Sequence, residues 1–364
     1  MEQPKRKIAL VGNTLSSGGA EKAQARLSIF LDSKGIEVHH ILVTDKITYP
    51  YAGKVFNMGR LKNQSNDLFN KLKRLSALRK YLKQEKFDYI IDFRVKKNFL
   101  QENLIANWVY KAPYIMSIRS FNTDYYFPKQ KAKASRIYRK SYGIVAVSKA
   151  LQKKIETEFG YQNVHTIYNG LDFDEINTLA EAPHNLTFPY ILGIGRMQSG
   201  IKQFDHLIEA FHDAAARQKG IHLVLVGEGE DLSKYKELVA RLKLESEVHF
   251  IPFVENPFPY FKNAYVTALT SKFEGFPNVL IESLASGTPV MAYDCESGPS
   301  EIIEHEENGL LIANQDKGAL LEAMDRLVMD SELYDRCKAQ ARQSVDSFAM
   351  EAIGQEWLRL LNIS

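Results

Sequence analysis

The chain alternates short apolar runs with amphipathic stretches, and it does so in two series. The first series of strand-like runs falls at 8–11, 38–43, 89–93, 114–118 and 143–147, with amphipathic stretches such as 20–33 and 72–83 between them. After a polar, Pro-containing stretch the pattern restarts at about residue 188, with runs at 190–195, 222–226, 248–252, 266–269 and 289–293. Parallel strands cannot be joined by a hairpin, so strands separated by helical patterns predict βαβ units. The expected fold class is α/β, with two doubly wound domains rather than one large sheet. The expected boundaries are a first domain over 1–170, a second over 171–345, and a closing segment 346–364 whose helix carries Trp357 and packs back on the first domain. Ligands of such sheets bind beyond the carboxyl ends of the strands, so the turns that follow strands are where chemistry is expected.

A chain of 364 residues that is 45% hydrophobic and 25% charged can bury two cores of ordinary size, which excludes disorder. No apolar run reaches the ~18 residues of a membrane-spanning helix. The start, Lys5-Arg6-Lys7 and then 8–12, reads as a first strand and not as a signal peptide. Cys295 and Cys337 stand 42 positions apart without metal-ligand or CxxC spacing, so a disulfide framework and structural zinc are not indicated and a cytoplasmic protein is expected. The net charge of +3 hides an asymmetry: residues 1–168 hold 31 Lys and Arg against 13 Asp and Glu, the remainder 16 against 31. Basic residues cluster at 71–86 and at 129–154, the second cluster holding nine of them and no acid. This suits an anionic membrane surface or nucleic acid, the plainer alternative being a solvated basic face. Without zinc-finger spacing or an aromatic RNA-binding string, nucleic acid is not expected.

The first run leads into Gly12-Asn13-Thr14-Leu15-Ser16-Ser17-Gly18-Gly19-Ala20-Glu21 and a helical pattern. Glycines permit close backbone approach and a helix start favours an anion, so Gly18 and Gly19 are ligand contacts or simply a tight turn. The string matches neither the dinucleotide fingerprint nor a P-loop. The second series opens alike with Gly193-Ile194-Gly195-Arg196, and Lys202 follows six residues on. A guanidinium fork and an ammonium just past a buried strand can converge on a diphosphate; the alternative is two exposed loop cations.

The densest signal is SKFEGFPNVLIESLASGTPV at 271–290. A strand is followed by Glu274 and Gly275, and Pro277 is placed to take the first helical position. The early amides near Phe276, Asn278 and Val279 are then donors aimed at negative charge. Glu282 falls in an apolar stretch, so its carboxylate is expected to be buried and to need a fixed partner, which a ribose diol would supply. Glu274, with seven residues between it and Glu282, is placed to accept from sugar hydroxyls. Read structurally instead, Glu274 is a helix cap and Glu282 a core-edge ion pair.

Together, the GGAE turn, Gly195-Arg196 with Lys202, EGFPNVLIE and the following SGTPV resemble the retaining glycosyltransferases of family 4 over nearly the whole chain. The resemblance implies the GT-B fold, two Rossmann-like domains facing across a cleft, with the acceptor on the first and the nucleotide sugar on the second. It implies that Glu282 holds the donor ribose and that Glu274 contacts the transferred sugar. Gly275, Phe276, Pro277 and Asn278 would bring backbone to the sugar and diphosphate, Arg196 and Lys202 would bind the diphosphate, and Gly19 would meet a donor phosphate. Phe253 falls where the family lets backbone touch the base, although Pro252 stands where a glycine is common. Ser117-Ile118-Arg119-Ser120 replaces the histidine of many relatives. This feature and DCESGPSE at 294–301 are similar to a subgroup that adds hexose or N-acetylhexosamine units to lipid-linked bacterial glycans. Arg119 is therefore a candidate for steering the acceptor or steadying phosphate charge, or else a surface arginine at a strand end.

The function so implied is retaining transfer of a hexose or N-acetylhexosamine from a nucleotide-diphosphate sugar, UDP-linked, to a glycan acceptor on an isoprenoid diphosphate. The setting would be bacterial surface polysaccharide or glycoprotein glycan synthesis, peripheral at the inner membrane face. No cofactor and no metal are expected. Asp172-Phe173-Asp174 mimics a metal-binding DxD but is read as turn and N-cap chemistry. Two rivals share the fold. A sugar-nucleotide epimerase would need acid/base carboxylates and histidines that the sequence does not display, and the intact Glu274/Glu282 pair argues against a non-catalytic UDP-sugar-binding protein.

Overall fold

The computed structural model describes residues 5–16, 18–63, 68–96 and 98–363. Ser17 of the first glycine-containing turn therefore lies outside the described residues. The chain divides into two compact units, 1–170 together with 350–364, and 171–349. Residues 346–349 belong to the second unit, so the closing segment of the first begins at Met350 and not at 346.

The first unit is built on seven strands: β1 (Lys7–Gly12), β2 (Glu37–Leu42), β3 (Lys54–Asn57), β4 (Tyr89–Asp92), β5 (Tyr114–Ile118), β6 (Gly143–Ala146) and β7 (Val164–Thr166). Their order is β3-β2-β1-β4-β5-β6-β7, with every pair parallel. Leu10 stands opposite both His40 and Ile91, which makes β1 central. Covered on both faces, it has Ile8, Ala9 and Leu10 fully buried, which is why it reads as an unbroken apolar run. The helix Gly19–Ser33 lays Leu27, Phe30 and Leu31 on this sheet, and the helix Met350–Leu360 adds Ile353 and Trp357 to the same core.

The second unit has six strands: β8 (Tyr190–Ile194), β9 (His222–Val226), β10 (Val248–Ile251), β11 (Val266–Leu269), β12 (Val290–Tyr293) and β13 (Gly309–Ile312). Their order is β10-β9-β8-β11-β12-β13, again all parallel. The helix Phe204–Asp213 packs Phe204, Leu207 and Phe211 against Ile191, Leu223 and Leu225. Both units are Rossmann-like, and each sheet reverses its direction of growth once, between β1 and β4 and between β8 and β11. Such reversal points are where helices leave in opposite directions and a crevice opens beyond the strand ends.

Candidate functional site

In the second unit, the motif residues follow the two strands that flank the reversal point. Gly195, Arg196 and Lys202 come after β8, and Glu274 to Glu282 come after β11. Lys202 passes its aliphatic stem over Gly195, where an added Cβ would lie 2.7 Å from Lys202 Cε and would displace the stem. The stem ends in an ion pair: Lys202 Nζ donates to Glu274 Oε1 at 2.7 Å, with the two side chains 18% and 15% exposed. The turn carrying Glu274 is anchored beside Lys202, since Lys272 N donates to the Ile201 carbonyl (2.8 Å) and Thr270 Oγ1 to the Lys202 carbonyl (2.8 Å). Arg196 is exposed and makes no ion pair among the described residues. The expected convergence of both cations is thus realised differently, with Lys202 held by a carboxylate and Arg196 standing at the strand exit.

The helix after the turn spans Asn278–Ala285, and Pro277 is its N-cap, not its first helical residue. The shift by one arises because Asn278 N donates to the Phe276 carbonyl (3.0 Å), a tight bend that delays the helix. Leu280 N donates to the Pro277 carbonyl (3.0 Å), so the Asn278 and Leu280 amides are engaged within the turn, whereas the Val279 amide has no backbone acceptor among the described residues. That narrows the anion-facing donors expected from sequence. Glu282 is 7% exposed, in the company of Leu280, Ile281 and Leu284, as its apolar surroundings require. Gly275 is half-buried and Phe276 buried. Phe253, beyond β10, exposes its ring, and its amide donates to Glu228 Oε1 (3.3 Å), so its carbonyl is the backbone group left for a base. Asp172 caps the helix Phe173–Ala180, its Oδ1 accepting from Glu175 N at 3.0 Å; this is the turn and N-cap chemistry read from sequence.

In the first unit, Gly18 is the N-cap of the helix that begins at Gly19, and its amide donates to the Tyr49 hydroxyl (3.1 Å). Arg119 follows β5 and is no loose surface arginine. It donates to Ser117 Oγ (2.7 Å), the Ile167 carbonyl (3.3 Å) and Asn169 Oδ1 (3.0 Å), with the rings of Phe93 and Trp357 5.4 Å and 5.9 Å from its guanidinium carbon. Burial pushes its guanidinium down to about 10, and all its hydrogen-bond acceptors are neutral. That makes it a held cation at the carboxyl end of the sheet. A group the sequence reading missed follows β4: Arg94 donates to Asp92 Oδ2 (2.7 Å) and Glu102 Oε2 (3.1 Å), and the Tyr110 hydroxyl to Asp92 (2.9 Å), all buried. Lys96 Nζ pairs with Asp92 Oδ1 at 2.8 Å without an aligned hydrogen bond. Burial alone would raise the Asp92 carboxyl, but Arg94 and Lys96 hold it well below the usual range; burial and then Arg94 push the Lys96 ammonium down to about 8. Its signal was the alternation Asp92-x-Arg94-x-Lys96 right after an apolar run.

Among the described residues, one group has metal-ligand spacing: Glu37, His39 and Glu85, with ligand atoms within 4.8 Å of one another. Lys54 (2.7 Å) and Lys7 (3.5 Å) already neutralise Glu37, Lys7 pairs with Glu85 (3.1 Å), and His39 bonds Tyr81 (2.6 Å). That cluster is a compensated ion network and not a cation cage.

Two parallel Rossmann-like sheets, each with a reversal point, are the architecture of a GT-B protein, and a Lys/Glu pair stands at one of those points. The model described as Glycosyltransferase Family 4 matches residues 17–175 and that described as Glycosyl transferases group 1 matches 174–344; the chain belongs to these family 4 glycosyltransferases. An uncharacterized glycosyltransferase of Haemophilus influenzae is 29% identical over 218 residues, and the chain spans 60% of that relative's length. The N-acetylgalactosamine-N,N'-diacetylbacillosaminyl-diphospho-undecaprenol 4-alpha-N-acetylgalactosaminyltransferase of Campylobacter jejuni is 28% identical over 98% of this chain and 99% of its own. Among solved structures, HepE of Anabaena in complex with UDP superposes with a TM-score of 0.77 at 20% identity, over 98% of this chain and 99% of that one.

Proposed function

We propose that this chain transfers a hexose or N-acetylhexosamine, with retention of configuration, from a UDP-sugar bound by the second unit to a glycan acceptor bound by the first. The observation that carries the reading is the Lys202–Glu274 pair at the reversal point, with Arg196 on one side and Glu282 in the following helix. As the glycosidic bond breaks, negative charge builds on the leaving β-phosphate, and Lys202, Arg196 and the Val279 amide are donors suited to that charge. Glu274 accepts from the sugar hydroxyls and Glu282 from the ribose diol. The leaving phosphate oxygen takes the proton of the acceptor hydroxyl on the face it departs from, so no protein nucleophile, metal or cofactor is needed. UDP as the carrier is supported by the HepE complex, and a diphosphate-linked acceptor by the name of the Campylobacter relative. Arg119, whose hydrogen-bond acceptors among the described residues are all neutral, suits the acceptor's anionic group. Incubating the protein with UDP-, GDP- and ADP-sugars and a polyprenyl-diphosphate glycan, then reading the anomeric configuration of the product by NMR, tests this. An α-linked product from a UDP-α-sugar supports it; inversion, or an epimerised UDP-sugar released without acceptor, overturns it.

The acceptor's lipid places the first unit at an anionic membrane surface. The helix Leu68–Glu85 carries Lys71, Lys73, Arg79, Lys80 and Lys83, and it exposes Phe69 and Leu72. Leu100, Leu104 and Trp108, four residues apart in turn, are exposed as well, with the Arg79 guanidinium 3.9 Å over the Trp108 ring. No helix of the described residues is long and apolar enough to cross a membrane, and this mixture of basic and apolar side chains suits lying on one. Flotation with vesicles of neutral phosphatidylcholine, with and without phosphatidylglycerol, is expected to show binding only to the anionic ones; equal recovery from both would contradict it.

A further inference from the structure

The turn that presents Glu274 is braced by a segment 22 residues away in sequence, the stretch 294–298 that follows β12. Phe273 and Glu296 form a parallel bridge, and Glu274 N donates to the Glu296 carbonyl (3.2 Å). Ser297 Oγ donates to the Gly275 carbonyl at 2.7 Å. Gly298 lies against Pro277 so closely that a Cβ there would stand 2.3 Å from Pro277 Cδ. The brace thus touches Phe273, Glu274, Gly275 and Pro277, four of five consecutive residues, by three kinds of contact.

Ser297 is itself in an unusual state. It is 5% exposed and has φ of 73°, the left-handed region that serine seldom occupies. Gly298 follows at φ 109°, which an L side chain would also resist. Strained backbone of this kind persists only where its surroundings over-determine it. Here the strained serine delivers its hydroxyl to the Gly275 carbonyl, directly after Glu274.

We infer that Ser297 and Gly298 are positioning residues for Glu274: through the Gly275 carbonyl and Pro277 they fix the carboxylate that receives the transferred sugar. The inference rests on the proposed sugar-contacting role of Glu274. Because Ser297 donates to the carbonyl directly after Glu274, its loss selectively weakens recognition of the sugar and leaves recognition of the nucleotide unchanged.

The test is S297G, which deletes the hydroxyl while tolerating the left-handed backbone, with S297A as a second deletion of the same group and E274A as the reference. Each is titrated calorimetrically with UDP and with UDP-glucose, UDP-N-acetylglucosamine and UDP-N-acetylgalactosamine. The quantity read is the ratio of the UDP dissociation constant to that of the tightest UDP-sugar. E274A is expected to abolish the sugar's contribution to this ratio. S297G and S297A are expected to lower it by about threefold to tenfold, the worth of one hydrogen bond, with UDP affinity unchanged. A general loosening of the fold would instead weaken UDP and UDP-sugar alike, and that result overturns the inference. If E274A lowers the ratio and both serine variants leave it at the wild-type value, the positioning role falls and the role of Glu274 stands. If E274A leaves it unchanged, both fall.

Discussion

Lys202 Nζ and Glu274 Oε1 meet at 2.7 Å although 72 residues separate them. Each is mostly buried and each is the other's counter-ion, at the carboxyl ends of the two strands where the second sheet reverses. The local stability of this corner and, under the proposed reaction, its chemistry therefore depend on the same two charges.

Replacing Lys202 by Met leaves the Glu274 carboxylate without that partner. The expected cost is about 1–3 kcal/mol of stability, seen as a lower unfolding midpoint by differential scanning calorimetry. Transfer is expected to fall by roughly a hundredfold or more, since a cation at a developing oxyanion is lost. In K202M/E274M the stability loss is expected to be smaller than the sum of the single losses while activity stays absent; strictly additive losses would contradict the pairing.

Arg94 is the cation on which the buried group after β4 depends, donating to both Asp92 and Glu102. R94M leaves two buried carboxylates with Lys96 alone and is expected to destabilise by about 3–5 kcal/mol in urea unfolding. R94K is expected to recover little of this, because an ammonium cannot reproduce the fork that reaches both acids. Full recovery by lysine would show that net charge, not geometry, holds the group.

A pH dependence follows from His40 on β2, whose Nδ1 meets Gln24 Nε2 (3.1 Å) and Nε2 meets the Ala52 carbonyl (3.1 Å). Burial pushes its imidazole down to about 4, the neighbouring His39 adding to this and the Ala52 bond opposing it. The folded state thus favours the neutral ring more than the unfolded state does. Its contribution is fully present above the unfolded value of 6.5 and is lost as pH falls through that value toward 4. Urea unfolding at pH 7, 5.5 and 4.5 is expected to show stability declining by up to ~1.4 kcal/mol per unit over this window, and less steeply in H40Q. An equally steep decline in H40Q would assign the effect to other groups.

The central strands were legible from sequence because a strand covered on both faces must be an unbroken apolar run. Three strands were not: β3 (Lys54–Asn57), β7 (Val164–Thr166) and β13 (Gly309–Ile312) are all edge strands of three or four residues. At an edge, β3 (KVFN) and β7 (VHT) need no continuous apolar signal, whereas β13 (GLLI) has one that the sequence reading passed over. The motif from Glu274 to Glu282 was legible because strand end, turn and helix are local in sequence. Its partners were not. Nothing in the spacing joins Lys202 to Glu274 or Ser297 to Gly275, and the bend at Asn278 that moves Pro277 out of the helix is a backbone event with no side-chain signature.

The central claim is that the carboxyl edge of the second sheet is the nucleotide site, with Glu282 its ribose acceptor. Calorimetric titration of UDP into wild type and E282Q tests it most directly. Wild type is expected to show saturable one-to-one binding and E282Q at least a tenfold weaker affinity, with unchanged far-UV circular dichroism. UDP bound equally well by both proteins would contradict it.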